Sequence, residues 1–395
     1  MRSLREIPSL VIKKQFRSEW ISGLTDALLP VLAAIAALVV GAAMLLFLKA
    51  DPLEAYKALW DGAFGSPNAF AETLVKATPL LLVGLGICIA FRGDVINIGG
   101  EGQMIVGAIL ATWVGLTFTH WPGWVVIILS MVAGFLGGAI WGGIPGYLKA
   151  YFNVNEILST VMMNAIAVQL MNFLLRGPMI DSAQAQLASK IPQTARLLEI
   201  FRLPRLAPTR LHIGALIAVV LAILVYVLLW RTTWGYRIRA VGQNPHASRY
   251  AGIKVKHYIV LALLLSGAFS GLAGATQVFG VNYRMITDGS ASGFTGSAGF
   301  NGIVAALFGQ LHPLWTVPAS ILFGALLVGA NNMQRAVQVP SALVTALNGL
   351  VVVFVVSSDF WRRTRQRRRM AAAATENEHS PGPKVDPVQH AGNDR

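Results

Sequence analysis

One carboxylic acid and two amides are the side chains of this sequence best placed to contact a solute. Asn97, Glu101 and Gln103 interrupt an apolar stretch in the order Asn-Ile-Gly-Gly-Glu-Gly-Gln. An ionised carboxylate among apolar residues is costly in a membrane unless it is paired or hydrated. Together these side chains offer acceptors for sugar hydroxyls or a nucleobase edge. The pattern fits equally a Glu101 that braces a helix break and never meets solute.

A second glycine-rich interruption covers residues 293–302, Gly-Phe-Thr-Gly-Ser-Ala-Gly-Phe-Asn-Gly. Phe294 and Phe300 could stack on a base that Asn301 hydrogen-bonds, although phenylalanine in an apolar run is more often core. Paired breaks in the two halves of a membrane protein indicate broken helices, an internal repeat and a substrate site at the membrane midplane.

Uncharged polar residues also occur in the apolar run between the two breaks, at Asn164, Gln169 and Asn172. Their spacing does not place them on one narrow helical stripe. Hydrogen bonding between helices is the expected role for most of them. Asn164 is in addition a candidate for the solute pathway.

The motifs of common enzyme classes are absent from the sequence. It contains no G-x-x-x-x-G-K-[ST] phosphate loop, no H-E-x-x-H and no G-x-S-x-G, and its seven histidines lack metal-ligand spacing. The single cysteine, Cys88, excludes an intrachain disulfide and a cysteine-rich metal site. We therefore predict no catalytic residue, no metal site and no cofactor bound by this chain.

Composition predicts an all-α, polytopic transmembrane helical bundle. Hydrophobic residues make up 55% and charged residues 13% of the 395 residues, against about 25% charged in soluble domains. About ten apolar runs are long enough, or nearly so, to cross a bilayer. They cover residues 27–48, 73–91, 95–118, 123–148, 156–175, 213–230, 258–279, 297–311, 314–330 and 341–357.

Glycines in two of these runs predict close contacts between helices. Gly134, Gly138, Gly142 and Gly146 repeat every four residues in the fourth run, and Gly267 with Gly271 repeats the device in the seventh. Without side chains, neighbouring backbones can approach closely in lipid.

The net charge of +14 indicates topology rather than nucleic-acid binding, because much of it lies beside apolar runs. We predict a cytoplasmic basic segment at 1–26, a transmembrane domain at 27–358 and a basic, disordered cytoplasmic tail at 359–395. Residues 231–257, the second basic loop, carry six Lys or Arg and no Asp or Glu. This bias places them in the cytoplasm.

Residues 176–212, the first basic loop, do not fit this scheme. They carry six Lys or Arg against Asp181 and Glu199, yet the alternation of spans puts them outside. We keep the external assignment because charge bias is statistical, and the later basic clusters would otherwise fall on the wrong side.

A short helix is predicted within the second basic loop. Asn244 is a typical N-cap and Pro245 suits the first helical position, with the end near Ala251 and Gly252. Tyr250 and the small residues beside it form a compact face that could enter a groove on another protein. The alternative is an ordinary basic loop.

Two stretches carry a resemblance to a known family. Residues 239–253, R-A-V-G-Q-N-P-H-A-S-R-Y-A-G-I, and 91–103, F-R-G-D-V-I-N-I-G-G-E-G-Q, resemble permease subunits of bacterial ATP-binding-cassette importers. The nearest group carries nucleosides and simple sugars and is related to branched-chain amino-acid permeases. The resemblance covers about 73–357. It implies alternating access and a coupling helix that docks an ATPase through Arg239, Gly242, Asn244, Pro245, Ala247, Tyr250 and Gly252.

The resemblance also implies partners and a location. A cytoplasmic ATPase would bind ATP and Mg²⁺, a second and commonly non-identical permease would complete the pathway, and an extracytoplasmic lipoprotein would deliver solute. The chain would span the bacterial cytoplasmic membrane with both termini inside. The alternatives are an ion-coupled secondary transporter with Glu101 as its carboxylate, a permease for branched-chain amino acids, and a non-transporting membrane scaffold or receptor.

Overall fold

The computed structural model describes residues 35–206, 208–340, 346, 349–350, 353–354 and 357. The chain divides into two units, residues 1–40 with 350–395, and residues 41–349. The few described residues of the first unit are helical. The predicted N-terminal segment, the C-terminal tail and most of the tenth apolar run lie outside the described residues.

The described residues contain helices and no β-strand, so the all-α prediction is confirmed. A 3-10 turn covers Glu199–Phe201, and a π-helical segment, Val278–Asn282, directly follows α11. The α-helices are α1 (Ile35–Phe47), α2 (Pro52–Phe64), α3 (Pro67–Arg92), α4 (Gly100–Thr117), α5 (Gly123–Phe152), α6 (Glu156–Arg176), α7 (Ser182–Ala185), α8 (Gly214–Arg231), α9 (Thr233–Gln243), α10 (Pro245–Tyr250), α11 (Val255–Gln277), α12 (Ala291–Thr295), α13 (Ala298–Phe308) and α14 (Pro313–Val337).

Six described helices are long and apolar enough to cross a membrane: α3, α5, α6, α8, α11 with its π-helical extension, and α14. Each coincides with a predicted run. The first and eighth runs correspond to the shorter apolar helices α1 and α13. The third run corresponds to α4, which begins at Gly100. Residues 95–98, at the start of the predicted run, are not helical. The chain is thus built as a multi-pass membrane protein.

The two predicted glycine stripes pack against each other. A Cβ added at Gly138 would collide with the carbonyl oxygen of Gly267, and one added at Gly271 with the carbonyl oxygen of Gly134. The backbones of α5 and α11 are therefore in direct contact, as the spacing predicts. Helix α11 also packs on α3 and α4, which makes it the central helix of the second unit.

The two basic loops lie at opposite ends of α8 and α11. The first basic loop precedes α8, and its backbone amides at Thr194, Leu197 and Leu203 donate to the carbonyls of Met285, Tyr283 and Phe279, beyond or at the far end of α11. The second basic loop joins the other ends of the same two helices. An 18-residue helix such as α8 is about 27 Å long. This relative placement agrees with the predicted alternation of spans.

Candidate functional site

Helix α10 presents an exposed aromatic residue on the second basic loop. Asn244 caps the helix by accepting the Ala247 N–H at 3.0 Å, and Pro245 occupies its first position. The helix ends at Tyr250, which is 95% exposed, and Gly252 follows with a left-handed φ of 78°. The predicted helix is confirmed. Its N-cap, its proline and its tip are open to contact from outside the chain.

An unpredicted helix, α9, carries Arg239 against the end of α8. The guanidinium carbons of Arg239 and Arg92 lie 5.5 and 5.3 Å from the centroid of the Trp230 ring, within cation–π range. The His312 ring lies 5.0 Å from the same ring. Burial, with a smaller contribution from Arg92, lowers the pKa of His312, so the imidazole is neutral near pH 7. Parts of α3, α8, α9 and the start of α14 therefore meet around one indole.

Gly242 brings α9 against the connection between α3 and α4. A Cβ at Gly242 would collide with the Arg92 carbonyl oxygen and lie 2.9 Å from the Asp94 nitrogen. Arg92 in turn donates to the carbonyls of Leu311 at 3.2 Å and Gln310 at 3.3 Å. The connection that contains the first break and the connection that follows α13 are thus held beside the second basic loop.

Two side-chain amides within the first glycine-rich break, residues 97–103, hydrogen-bond to each other. Asn97 and Gln103 exchange hydrogen bonds of 3.0 and 3.1 Å, and Asn97 Nδ2 also donates to the Ser266 hydroxyl of α11 at 2.8 Å. Asn97 Oδ1 accepts the Gly99 N–H at 2.8 Å. All three side chains are buried. These amides therefore hold the non-helical segment in place on α11.

Asn164 binds the same break from α6. Its Oδ1 accepts the Gly102 N–H at 2.8 Å, and its Nδ2 donates to the Ile98 carbonyl at 2.9 Å. An amide that satisfies one donor and one acceptor of a helix start compensates for bonds that the helix itself lacks there. The expected hydrogen bonding between helices is observed for this residue.

Glu101 joins the two breaks. It is 2% exposed, and its Oε1 accepts the Phe300 N–H of α13 at 3.2 Å. A Cβ at Gly299 would lie 2.5 Å from the Glu101 nitrogen, so a side chain there would separate the breaks. Oε2 has no hydrogen-bond partner among the described residues; the Thr295 hydroxyl interacts with the carboxyl group but donates to the Ala291 carbonyl at 2.9 Å. The Glu101 carboxyl group therefore braces the contact between the two breaks.

The remaining pathway candidates separate into buried and exposed residues. Phe294 is 2% exposed and belongs to a large hydrophobic core with Phe279 and Met285. Phe300 is 48% exposed and Asn301 is half-buried on α13. Phe294 is thus a core residue in this structure, whereas Phe300 lies at a surface that another subunit or a solute could reach.

A sequence family matches most of the chain. The family described as the permease component of the branched-chain amino acid transport system matches residues 69–356, which include both breaks and the second basic loop. The chain belongs to this permease family. The permease is therefore a membrane transport subunit and not an enzyme.

Several curated relatives of the permease are similar over most of their length. A guanosine ABC transporter permease protein, NupP of Bacillus subtilis (strain 168), is 38% identical over 85% of this chain and 94% of the relative. A glucose ABC transporter permease protein, TsgB13 of Haloferax volcanii, is 33% identical over 85% and 88%. A nucleoside ABC transporter permease protein, NupB of Lactococcus lactis subsp. cremoris, is 29% identical over 83% and 90%. No solved structure matches the permease.

Sequence reasoning missed three residues of the permease that connect its candidate sites: Arg92, Trp230 and Ser266. Arg92 and Trp230 stand at helix ends, where a cation or an aromatic residue is common and gives no distinct signal. Ser266 directly precedes Gly267 of the predicted glycine stripe, and this position is the one sequence feature that indicates contact with another helix. Among the described residues, no group of three His, Cys, Asp or Glu side chains could hold a metal ion.

Proposed function

We propose that this permease takes up nucleosides, with simple sugars as the second class of solute. The observation that carries the proposal is the 38% identity to a guanosine permease protein across 94% of that relative. The nucleoside and glucose permease proteins among its relatives support the same two classes. The family description names branched-chain amino acids, but these three relatives are named for nucleosides or glucose.

The second basic loop supports a cytoplasmic contact with an ATPase that binds ATP and Mg²⁺. It combines a capped helix, a tyrosine that is 95% exposed and an excess of positive charge. Positive loops stay on the cytoplasmic side. We accordingly place the second basic loop and both termini in the cytoplasm of a bacterium, and the first basic loop outside.

Movement of α9 and α10 would reach the breaks through contacts with the rest of the chain. Gly242 touches the α3–α4 connection, and Arg92 links that connection to the carbonyls at the α13–α14 connection. An ATPase that binds two arrangements of this loop with different affinity would shift the permease between inward-open and outward-open states. Because Arg92, Arg239 and His312 all contact the Trp230 ring, movement of the loop would be transmitted to both breaks at this ring.

The solute would pass along the exposed side of α13, between this chain and a second permease. Phe300 supplies an aromatic face for a nucleobase and Asn301 supplies polar contacts, whereas the buried Glu101 holds the start of α13 from behind. Two different guanosine permease proteins of Bacillus subtilis, NupP and NupQ, are similar to this chain, which supports a non-identical partner. An extracytoplasmic lipoprotein would deliver the solute.

Uptake by reconstituted vesicles tests the proposed function. The vesicles contain the permease, its second permease subunit, its lipoprotein and the ATPase. They should take up labelled guanosine only when ATP is present on the side of the membrane where the ATPase is bound. Omission of the ATPase should abolish uptake, and a proton uncoupler should leave it unchanged. Uptake by this chain alone that collapses with the uncoupler would identify an ion-coupled transporter instead. A panel of nucleosides, sugars and branched-chain amino acids assigns the solute.

A further inference from the structure

A cavity of about 660 Å³ lies beside α10, between α9 and the start of α11. Arg237 and Tyr236 line it from α9, Gly252 and Lys254 line it from the turn after α10, and His257 and Tyr258 belong to the first turn of α11. The cavity is formed by the second basic loop together with the helix start that follows it.

The cavity is lined by basic side chains without any carboxylate. Arg237 and Lys254 are exposed cations, and no Asp or Glu is among the lining residues. Arg237 donates to the Tyr258 hydroxyl at 2.9 Å, a contact that orients the guanidinium and uses one of its five donors. The salt bridges between described residues, Lys149 with Glu156, Arg202 with Glu199 and Arg210 with Glu72, do not include this loop. The positive charge of the cavity is therefore not neutralised from within the described chain.

The walls of the cavity are suited to a protein partner. Tyr236 is 62% exposed at α9, and the 95% exposed Tyr250 stands on the adjoining helix. Tyrosine and arginine are enriched where protein surfaces meet. Only His257 and Tyr258 belong to a membrane-spanning helix, and both lie in its first turn. Most of the lining therefore lies outside the spans, where a cytoplasmic protein can reach it.

We propose that this cavity receives an acidic side chain of the ATPase, which forms an ion pair with Arg237 and Lys254 beside the docked α10. The inference rests on the proposed function, and it adds a second contact with defined chemistry to the exposed tyrosine. The planar guanidinium of Arg237 suits two parallel hydrogen bonds to a carboxylate. Charge pairs of this kind fix the orientation of a partner and speed its association.

The test measures how tightly the purified ATPase binds the full-length permease in detergent at several salt concentrations. Lys254→Gln should weaken association about tenfold at low salt and reduce its salt dependence, and Lys254→Glu should weaken it further. Arg231→Gln is the matched control, because Arg231 is an exposed cation of the same loop that does not line the cavity. An acid-to-lysine substitution on the ATPase that restores binding to Lys254→Glu would identify the pairing carboxylate.

The outcomes separate this inference from the proposed function. Unchanged binding of Lys254→Glu, together with lost binding of Tyr250→Glu, overturns the cavity contact and leaves ATPase docking intact. Unchanged binding of both variants contradicts docking at this loop altogether. The same measurement in nanodiscs with and without anionic lipid identifies a headgroup: a Lys254 effect that requires anionic lipid overturns the assignment to the ATPase.

Discussion

The two basic loops carry six cations each, but only the first forms salt bridges with them among the described residues. In the first basic loop, Arg202 pairs with Glu199 at 2.7 Å and Arg210 pairs with Glu72 at 3.3 Å. Arg202 also lies 4.6 Å from the centroid of the Tyr283 ring. In the second basic loop, no salt bridge between described residues involves a cation. Arg237 and Arg239 instead lie against the rings of Tyr258 and Trp230, and Arg237 donates to the Tyr258 hydroxyl.

The difference between the loops therefore lies in what their cations contact in the folded chain and not in the number of cations. Orientation depends on the number of Lys and Arg residues near the spans, and Asp and Glu contribute little to it, so these pairs change the contacts of the folded loop and not its sidedness. Glu72 belongs to α3, far from the first basic loop in sequence, so a count of charges within the loop misses it. Cations without a carboxylate partner are the ones that indicate contact with another molecule.

Labelling should give the largest effect, because the comparison requires the loops to face opposite sides of the membrane. A single cysteine introduced as Leu187→Cys should react with an impermeant maleimide on intact cells. Tyr250→Cys should react only after the cells are opened. The native Cys88 is buried and serves as the unlabelled background. Labelling of both positions from the same side would contradict the proposed topology.

Gly242→Val should destabilise the permease because it affects the part of the second loop that contacts its own chain. The added side chain would collide with the Arg92 carbonyl oxygen, and overpacking of this kind costs about 1–3 kcal/mol. Thermal unfolding in detergent measures the loss. Gly143→Val is the control, since Gly143 lies inside α5 and the nearest atom to its added Cβ, Leu264 Cδ1, is 3.9 Å away. An equal loss in both variants would argue against the packing role of Gly242.

Acid should destabilise the first loop through His212, which stands just before α8 and accepts the Gly214 N–H at 3.1 Å. Burial lowers the pKa of His212 from 6.5 to about 4. As the pH falls below 6.5, the unfolded chain takes up a proton that the folded chain refuses until about pH 4, so stability is lost across this window. The cost is about 1.4 kcal/mol per unit of pKa difference once the window is crossed.

The unfolding temperature at pH 7 and pH 5 measures this effect. His212→Asn keeps an acceptor for the Gly214 N–H and should reduce the loss between the two values. An unchanged pH dependence in this variant would show that other groups cause the loss.

Arg202→Gln should have the smallest effect. Its partner Glu199 is exposed, with 83% side-chain accessibility, and surface ion pairs contribute about 1 kcal/mol or less. We expect a slight loss of thermal stability and no change in ATPase binding, the reverse of the expectation for Lys254→Gln. Weakened ATPase binding by Arg202→Gln would contradict the assignment of ATPase contact to the second basic loop alone.

The sequence predicts those features that depend on local spacing. The cap and proline of α10, the glycine stripes of α5 and α11 and the location of both breaks follow from neighbouring residues, and the structure contains each of them. Helix α9 was not predicted, because its polar and basic residues resemble those of a surface loop. The interior position of Phe294 is one of the two roles that the sequence allows.

The partners of the polar residues could not be predicted. Glu101 finds the Phe300 N–H 199 residues away, and Asn97 finds Ser266 169 residues away. Such pairs depend on how the spans assemble, which no local pattern contains. The same limit applies to Arg210 and Glu72.

The glycine contact between α5 and α11 restricts which parts of the permease can open. Two helices that touch through their backbones have no side chains to change rotamer, and a small displacement would bring carbonyl oxygens against neighbouring atoms. Helices α5 and α11 should therefore move together as one rigid body. A channel would therefore widen by movement of the helices around this pair. Those helices pack through side chains, which can change rotamer and form new contacts.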